Sequence, residues 1–326
     1  MKLGRSTGTL LKLGVAGTIA LSATGCASLA FHQGAMPGEP KGATYAEIDG
    51  VRVRYEDRGE GPPVVLVHGF ASSLENWLTV TPTLQKRHRV LSMDLKGFGW
   101  TDRPEGDYSP PAEAKLVLDL MKARGIDRAD VVAHSWGSSI ALQMALIAPQ
   151  RVGKLALYDA WVYEEQLPSF FLWARADGVG ELLFSTWYGE RADERIAFAF
   201  YDKKKWLTEP FIEAVDRALE RPGTVAAALA ASRGQRFYLW QDKYKTIQSE
   251  ALLLWGREDE VTLLSYGERL QKDLPRAKLI VYPLCGHFPM LEQATASTAD
   301  LDAYLAPAAG AEPQAKTKAK PDEDQP

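Results

Sequence analysis

Cysteine is nearly absent from this 326-residue chain, which holds only Cys26 and Cys285. Two thiols, one of them in the N-terminal segment, cannot make a disulfide framework, so the fold must rest on a buried core. Basic residues are in deficit. Lys and Arg number 38 against 42 Asp and Glu, a net charge of -4, which removes nucleic acid from the expected partners. The chain carries no His-Glu-x-x-His, no paired-cysteine motif and no glycine-rich phosphate loop, so neither a metal nor a nucleotide cofactor is expected. Histidine occurs only at His32, His68, His88, His134 and His287, which leaves few sources for an imidazole base.

What is present begins with Lys2, Arg5 and Lys12 ahead of an apolar, small-residue run from Leu13 to Ala23. That is the pattern of an export signal, and the run is shorter than the ~20 residues a spanning helix needs. It ends on Thr24-Gly25-Cys26, which resembles the lipobox of bacterial lipoproteins, with Ala23 where that pattern usually has Leu. The resemblance implies a lipid on Cys26, anchorage in the cell envelope and, with Ser28 rather than Asp shortly after it, retention at the outer membrane. An ordinary cleaved signal and an uncleaved anchor are the alternatives. Loss of residues 1–25 removes three basic and no acidic residues and moves the net charge from -4 to -7.

Composition divides the remainder. Residues 27–42 are rich in Ala, Gly and Pro without apolar periodicity and read as a flexible tether. Residues 307–326 contain no large apolar side chain and read as a disordered tail. Between them, short apolar runs at Val64–Val67, Val90–Met93, Val131–Ala133, Leu155–Tyr158, Leu252–Trp255 and Leu279–Tyr282 alternate with helical stretches such as Pro110–Lys122 and Ser138–Ala148. Runs of this kind suit strands buried on both faces, and the alternation predicts a doubly wound, mostly parallel α/β sheet. A hairpin turned at Asp49-Gly50 leads in. From 161 to 249 the strand signal gives way to aromatic-rich amphipathic segments, read as a helical cap inserted between core segments 43–160 and 250–306.

The sequence Asp130-Val131-Val132-Ala133-His134-Ser135-Trp136-Gly137 runs strand, tight small-residue turn, helix, with Ser135 at the apex: a nucleophile elbow. With the strand ending in His68-Gly69-Phe70 and the loop Asp94-Leu95-Lys96-Gly97-Phe98-Gly99, it resembles the α/β-hydrolase superfamily over about 43 to 306. That resemblance implies an oxyanion hole from the backbone N–H groups of Phe70 and Trp136, with His68 structural. His287, after the strand Lys278–Tyr282 in Cys285-Gly286-His287, suits the base and follows the chain order Ser, acid, His. Family spacing in Trp255-Gly256-Arg257-Glu258-Asp259 selects Asp259 as the acid that orients it, and Asp159, at the end of the preceding strand, is the alternative.

These residues imply a serine hydrolase acting on an ester or related acyl bond of a small to medium apolar molecule, without cofactor. Ser135 at the elbow argues against the dehalogenase and epoxide hydrolase branches, which place Asp there. Amidase or proline iminopeptidase, carbon–carbon hydrolase and perhydrolase activities share the triad and stay open. A catalytically silent envelope binding protein is the alternative outside enzymes.

Overall fold

A computed structural model describes residues 29–187 and 196–306; the expected signal, Cys26 and the tail from 307 lie outside these residues. Among the described residues no helix is long and apolar enough to cross a membrane. One sheet holds β1 (Thr44–Ile48), β2 (Val51–Arg58), β3 (Pro63–Val67), β4 (Arg89–Met93), β5 (Ala129–His134), β6 (Val152–Tyr158), β7 (Ala251–Gly256) and β8 (Ala277–Tyr282), in the order β1-β2-β4-β3-β5-β6-β7-β8. β1 and β2 are antiparallel about Asp49 and Gly50, whose φ angles of 51° and 75° are those a two-residue hairpin turn requires. β2 meets β4 antiparallel, and every other neighbouring pair is parallel. The longer helices are α1 (Pro110–Ala123), α2 (Trp136–Ile147), α3 (Ser169–Trp173), α4 (Val179–Trp187), α5 (Glu209–Leu219), α6 (Thr224–Gly234), α7 (Leu264–Asp273) and α8 (Ala294–Leu305).

The apolar strand runs are continuous because each face of the sheet has its own core. Val65, Val67, Val131, Ala133, Leu155 and Leu157 pack with Val117 and Leu120 of α1, Ile140 and Met144 of α2 and Leu270 of α7. Their chain neighbours Val64, Leu66, Val132, Ala156, Leu252 and Leu254 pack on the other face with Trp77, Leu84 and Leu301 of α8. Side chains alternate faces along a strand, so covering both faces demands an apolar residue at every position. At α1, Ser109 occupies the cap position, but its hydroxyl caps nothing. Pro110 and Pro111 have no N–H, so two of the four orphan donors of that terminus do not exist.

Helices α3 to α6 and several single turns fill the connection from β6 to β7. Phe171, Phe184, Ala227 and Leu229 from this insertion share the core cluster of Val67, Leu95 and Trp136, so it is packed onto the sheet domain rather than hung from it. Its aromatic residues divide between packing and exposure: Phe171, Phe184 and Phe200 are buried, while Trp173, Phe198 and Tyr201 are exposed.

The expectation of a flexible tether is corrected for residues 29–42. His32 and Arg103 exchange two backbone hydrogen bonds of 2.9 and 2.7 Å, Gly34 N–H donates to Asp102 Oδ1, Met36 is buried and Glu39 forms a fork with Arg52. The buried Arg103 guanidinium bonds Met36 Sδ, the Gly99 and Thr101 carbonyls and Thr224 Oγ1 at the start of α6. The segment is a strap from the body to the cap. Composition suggested a loose linker because its partners are distant in sequence and leave no local periodicity.

Candidate active site

The C-terminal ends of β3, β5, β6, β7 and β8 converge on one point. At the end of β5 the chain turns sharply at Ser135, with φ 52° and ψ −125°, before α2 begins. A non-glycine residue there is strained, and the surroundings enforce it. Ser135 N–H donates to the Tyr158 carbonyl at 2.9 Å, and its own carbonyl accepts from Trp161 and Ser138. Gly137 makes the turn possible, since a Cβ there would stand 2.3 Å from the His68 carbonyl oxygen and 2.6 Å from that of Val67.

The loop after β3 lies against this turn. A Cβ on Gly69 would stand 3.0 Å from the Cβ of Ser135. His68 is buried; its Nε2 accepts from Leu95 N–H at 2.9 Å, so Nδ1 carries the proton and donates to the Gly69 carbonyl at 2.7 Å. Burial pushes the imidazole down to about 4, which keeps it neutral. Because C=O and N–H of one trans peptide point in opposite directions, gripping the Gly69 carbonyl also fixes the direction of the Phe70 N–H. Trp136 N–H is the first of α2 and has no intrahelical acceptor. Both expected oxyanion donors therefore flank the elbow. Asp94 anchors the neighbouring loop by accepting from Leu74 N–H, Trp100 N–H and Arg54.

Asp259 and His287 meet directly: Nδ1 lies 2.8 Å from Oδ2, with both side chains buried. Asp259 Oδ1 also accepts from the N–H groups of Val261 and Thr262, and Oδ2 accepts from the Thr262 hydroxyl at 2.6 Å. Burial would push this carboxyl up, but the His287 ring and these hydrogen bonds outweigh it and hold it below the ordinary carboxylate range. His287 is fixed at its backbone too: its N–H donates to Ala199 of the cap at 2.7 Å, and its carbonyl accepts from His134 Nε2 at 2.8 Å. The two rings are 4.7 Å apart. Burial and the His287 ring push His134 well down, so it serves as a neutral brace between the elbow and His287. Asp159 follows β6 beside Asp259; its Oδ1 accepts from Gly256 N–H at 2.9 Å. Cys285 is buried, and burial pushes its thiol up, which suits a packing residue and not a nucleophile.

Thr262, Glu292 and Asn76, whose Nδ2 lies 3.4 Å from His134 Nδ1, were not singled out from sequence. Thr262 alone had a local signal, since Asp-x-x-Thr is the spacing of a side chain turning back on the next N–H groups. Glu292 joins the Gly286 N–H to the cap N–H of Tyr201, a contact only the fold creates. In the loop after β3, Phe70 touches Phe98, Trp136 and the cap residue Phe171 at 5.3 to 6.0 Å between rings. Phe288 stacks on cap residue Phe200 at 4.9 Å. Aromatic walls thus lie on both sides of the elbow.

A cavity of about 520 Å³ opens elsewhere, between the strap at Leu29 and Phe31, Tyr108 and α6; none of Ser135, Asp259 or His287 lines it. The polar constellation, not this cavity, carries the candidate chemistry. Asp159, Asp259 and His287 offer ligand atoms within 4.8 Å of one another, but the Asp259 oxygens and His287 Nδ1 are already engaged with each other and with their neighbours.

The family model described as alpha/beta hydrolase fold matches residues 62–294. The 2-hydroxy-6-oxo-2,4-heptadienoate hydrolase of Pseudomonas putida is 29% identical over 272 residues, covering 75% of this chain and 89% of that protein. Among solved structures, the meta-cleavage product hydrolase CumD of Pseudomonas fluorescens IP01 superposes with a TM-score of 0.67 at 28% identity, over 80% of this chain and 96% of that one. Est816, described as an N-acyl homoserine lactone degrading enzyme, gives a TM-score of 0.67 at 25% identity, over 80% and 100% of the two chains.

Proposed function

The chain belongs to the alpha/beta hydrolase fold family, and on that premise we propose that it is a serine hydrolase cleaving an ester or related acyl bond through an acyl-enzyme. The observation that carries this is the 2.8 Å bond between His287 Nδ1 and Asp259 beside a strained serine elbow. With Nδ1–H committed to Asp259, Nε2 is the nitrogen left to take the Ser135 proton as Oγ attacks the acyl carbon. The Phe70 and Trp136 N–H groups receive the developing oxyanion, a role in which one donor is worth ~3 to 4 kcal/mol. His287 then returns the proton to the leaving group, and water cleaves the acyl-enzyme with the same base. The aromatic walls suit a medium apolar acyl or aryl group.

A second reading, hydrolysis of a carbon–carbon bond in a 2-hydroxy-6-oxo-dienoate, is supported by the P. putida relative named for such a substrate. Both readings require a reactive serine. A fluorophosphonate probe should label wild type and not Ser135→Ala; folded but unlabelled wild type refutes both. Aryl esters of increasing acyl length, assayed beside a 2-hydroxy-6-oxo-dienoate, separate the two. A dienoate kcat/KM above that of every ester assigns the second.

For the cellular address, the lipobox-like end at Cys26 supports an envelope lipoprotein. Detergent-phase partition should be lost in Cys26→Ser, and unchanged partition removes the lipid from that position.

A further inference from the structure

Asp159 has more in its surroundings than a displaced rival for the acid requires. It follows β6 at φ 42°, is fully buried, and is held through its own backbone: its N–H donates to the Leu254 carbonyl at 3.0 Å, and its carbonyl oxygen lies 3.2 Å from Thr262 Oγ1. Its Oδ1 takes the Gly256 N–H. Among the described residues, no N–H or O–H donor reaches its Oδ2. The group beside it is the Asp259 carboxyl, with both acids and His287 placing atoms within 4.8 Å of one another.

Two buried carboxyls at this separation do not both ionise. Asp259 receives two N–H groups, one hydroxyl and the imidazole; Asp159 receives one N–H. The charge therefore belongs on Asp259 and a proton on Asp159. The other titratable groups facing Asp159 are Glu292, Cys285 and Tyr158, none of them a cation that would favour a second anion. We propose that Asp159 is a proton-carrying positioning residue, whose carboxylic acid donates a hydrogen bond from Oδ2 to the Asp259 carboxylate and thereby tempers the pull of Asp259 on His287. Burial, then the Asp259 charge, pushes the Asp159 carboxyl well up, in the same direction as the geometry.

The inference rests on the serine hydrolase reading, in which Asp259 and His287 work as a pair. Its test is the acid limb of kcat/KM against pH on an aryl ester, for wild type, Asp159→Asn and Asp159→Ala. Asn keeps a donor and adds no charge, so it should leave the acid limb in place. Ala removes the donor, strengthens Asp259 as an acceptor and should raise the limb by about 0.5 to 1 unit, the equivalent of one hydrogen bond. A limb lowered by about 1 unit or more in Asp159→Asn means that an ionised Asp159 has been lost and overturns the proposal. An unmoved limb in Asp159→Ala does the same.

A second measurement needs no turnover. An infrared difference spectrum of wild type minus Asp159→Asn at neutral pH should contain the carbonyl stretch of a protonated carboxyl. Its absence overturns the proposal even if Asp159→Ala fails to fold. Its presence in a protein that the fluorophosphonate probe does not label upholds the proton on Asp159 while the functional reading falls.

Discussion

Replacing Glu113 with Gln should stabilise this protein by an amount that grows with pH. Glu113 sits in the first turn of α1, fully buried, with Oε2 accepting from Lys96 N–H at 3.2 Å and Oε1 unpartnered among the described residues. Burial, only partly offset by Lys96, pushes the carboxyl from 4.5 up to about 8. Below the unfolded value both states hold the proton and the site costs nothing. As the pH rises, the unfolded chain releases its proton while the folded chain keeps it, so folding weakens by about 1.4 kcal/mol per unit until the pH passes the folded value. At pH 7 the loss reaches about 3 kcal/mol, a large share of the ~5 to 15 kcal/mol that holds a domain together. Gln is close in shape and neutral throughout, so the difference between variant and wild type should trace this curve. Urea unfolding from pH 4.5 to 8 should show the two proteins nearly equal at the acid end and Gln ahead at the basic end. A difference that is flat with pH refutes the buried neutral carboxyl.

Three further outcomes follow from the site. Asp259→Asn should lower kcat by about 10³- to 10⁴-fold, far more than Asp159→Asn; the reverse order in steady-state kinetics reassigns the acid. Gly137→Ala places a methyl 2.3 Å from the His68 carbonyl oxygen, a backbone atom that cannot rotate away, and should cost about 1–3 kcal/mol or more in thermal unfolding; wild-type stability would mean that the β3 and α2 backbones have room to part. His68→Ala frees the Gly69 carbonyl and with it the Phe70 N–H, so kcat should fall toward the 10²- to 10³-fold cost of one lost oxyanion donor; unchanged kcat removes His68 from that role.

Much of the fold was legible because its determinants are local. Two-sided burial forces unbroken apolar runs, Asp49-Gly50 demands a hairpin, and a small-residue turn between strand and helix marks Ser135. The choice of Asp259 as partner of His287 came from family spacing, and Asp159 stayed open beside it because some members of that family supply the acid from the preceding strand. What the sequence hid was contact between distant segments. Residues 29–42 are compositionally loose, yet Glu39 finds Arg52 and His32 finds Arg103. His134 showed only that it adjoins Ser135, not that its ring grips the His287 carbonyl. The two rival acids presented themselves as alternatives, whereas folding makes them neighbours.

The strap changes how an anchor at Cys26 would act. Leu29 lies three positions after Cys26, about 10 Å of chain at full stretch, and beyond Leu29 the chain is already clamped. A lipid there would hold the enzyme at a fixed standoff from the bilayer rather than on a leash. The clamp runs through Arg103 to Thr224, so a tug on the anchor would reach the cap at α6 before it reached the elbow. A domain cut at residue 43 would shed Met36, Glu39 and the His32 bridge together, leaving the Arg103 guanidinium without its sulfur partner and the cap without its buckle.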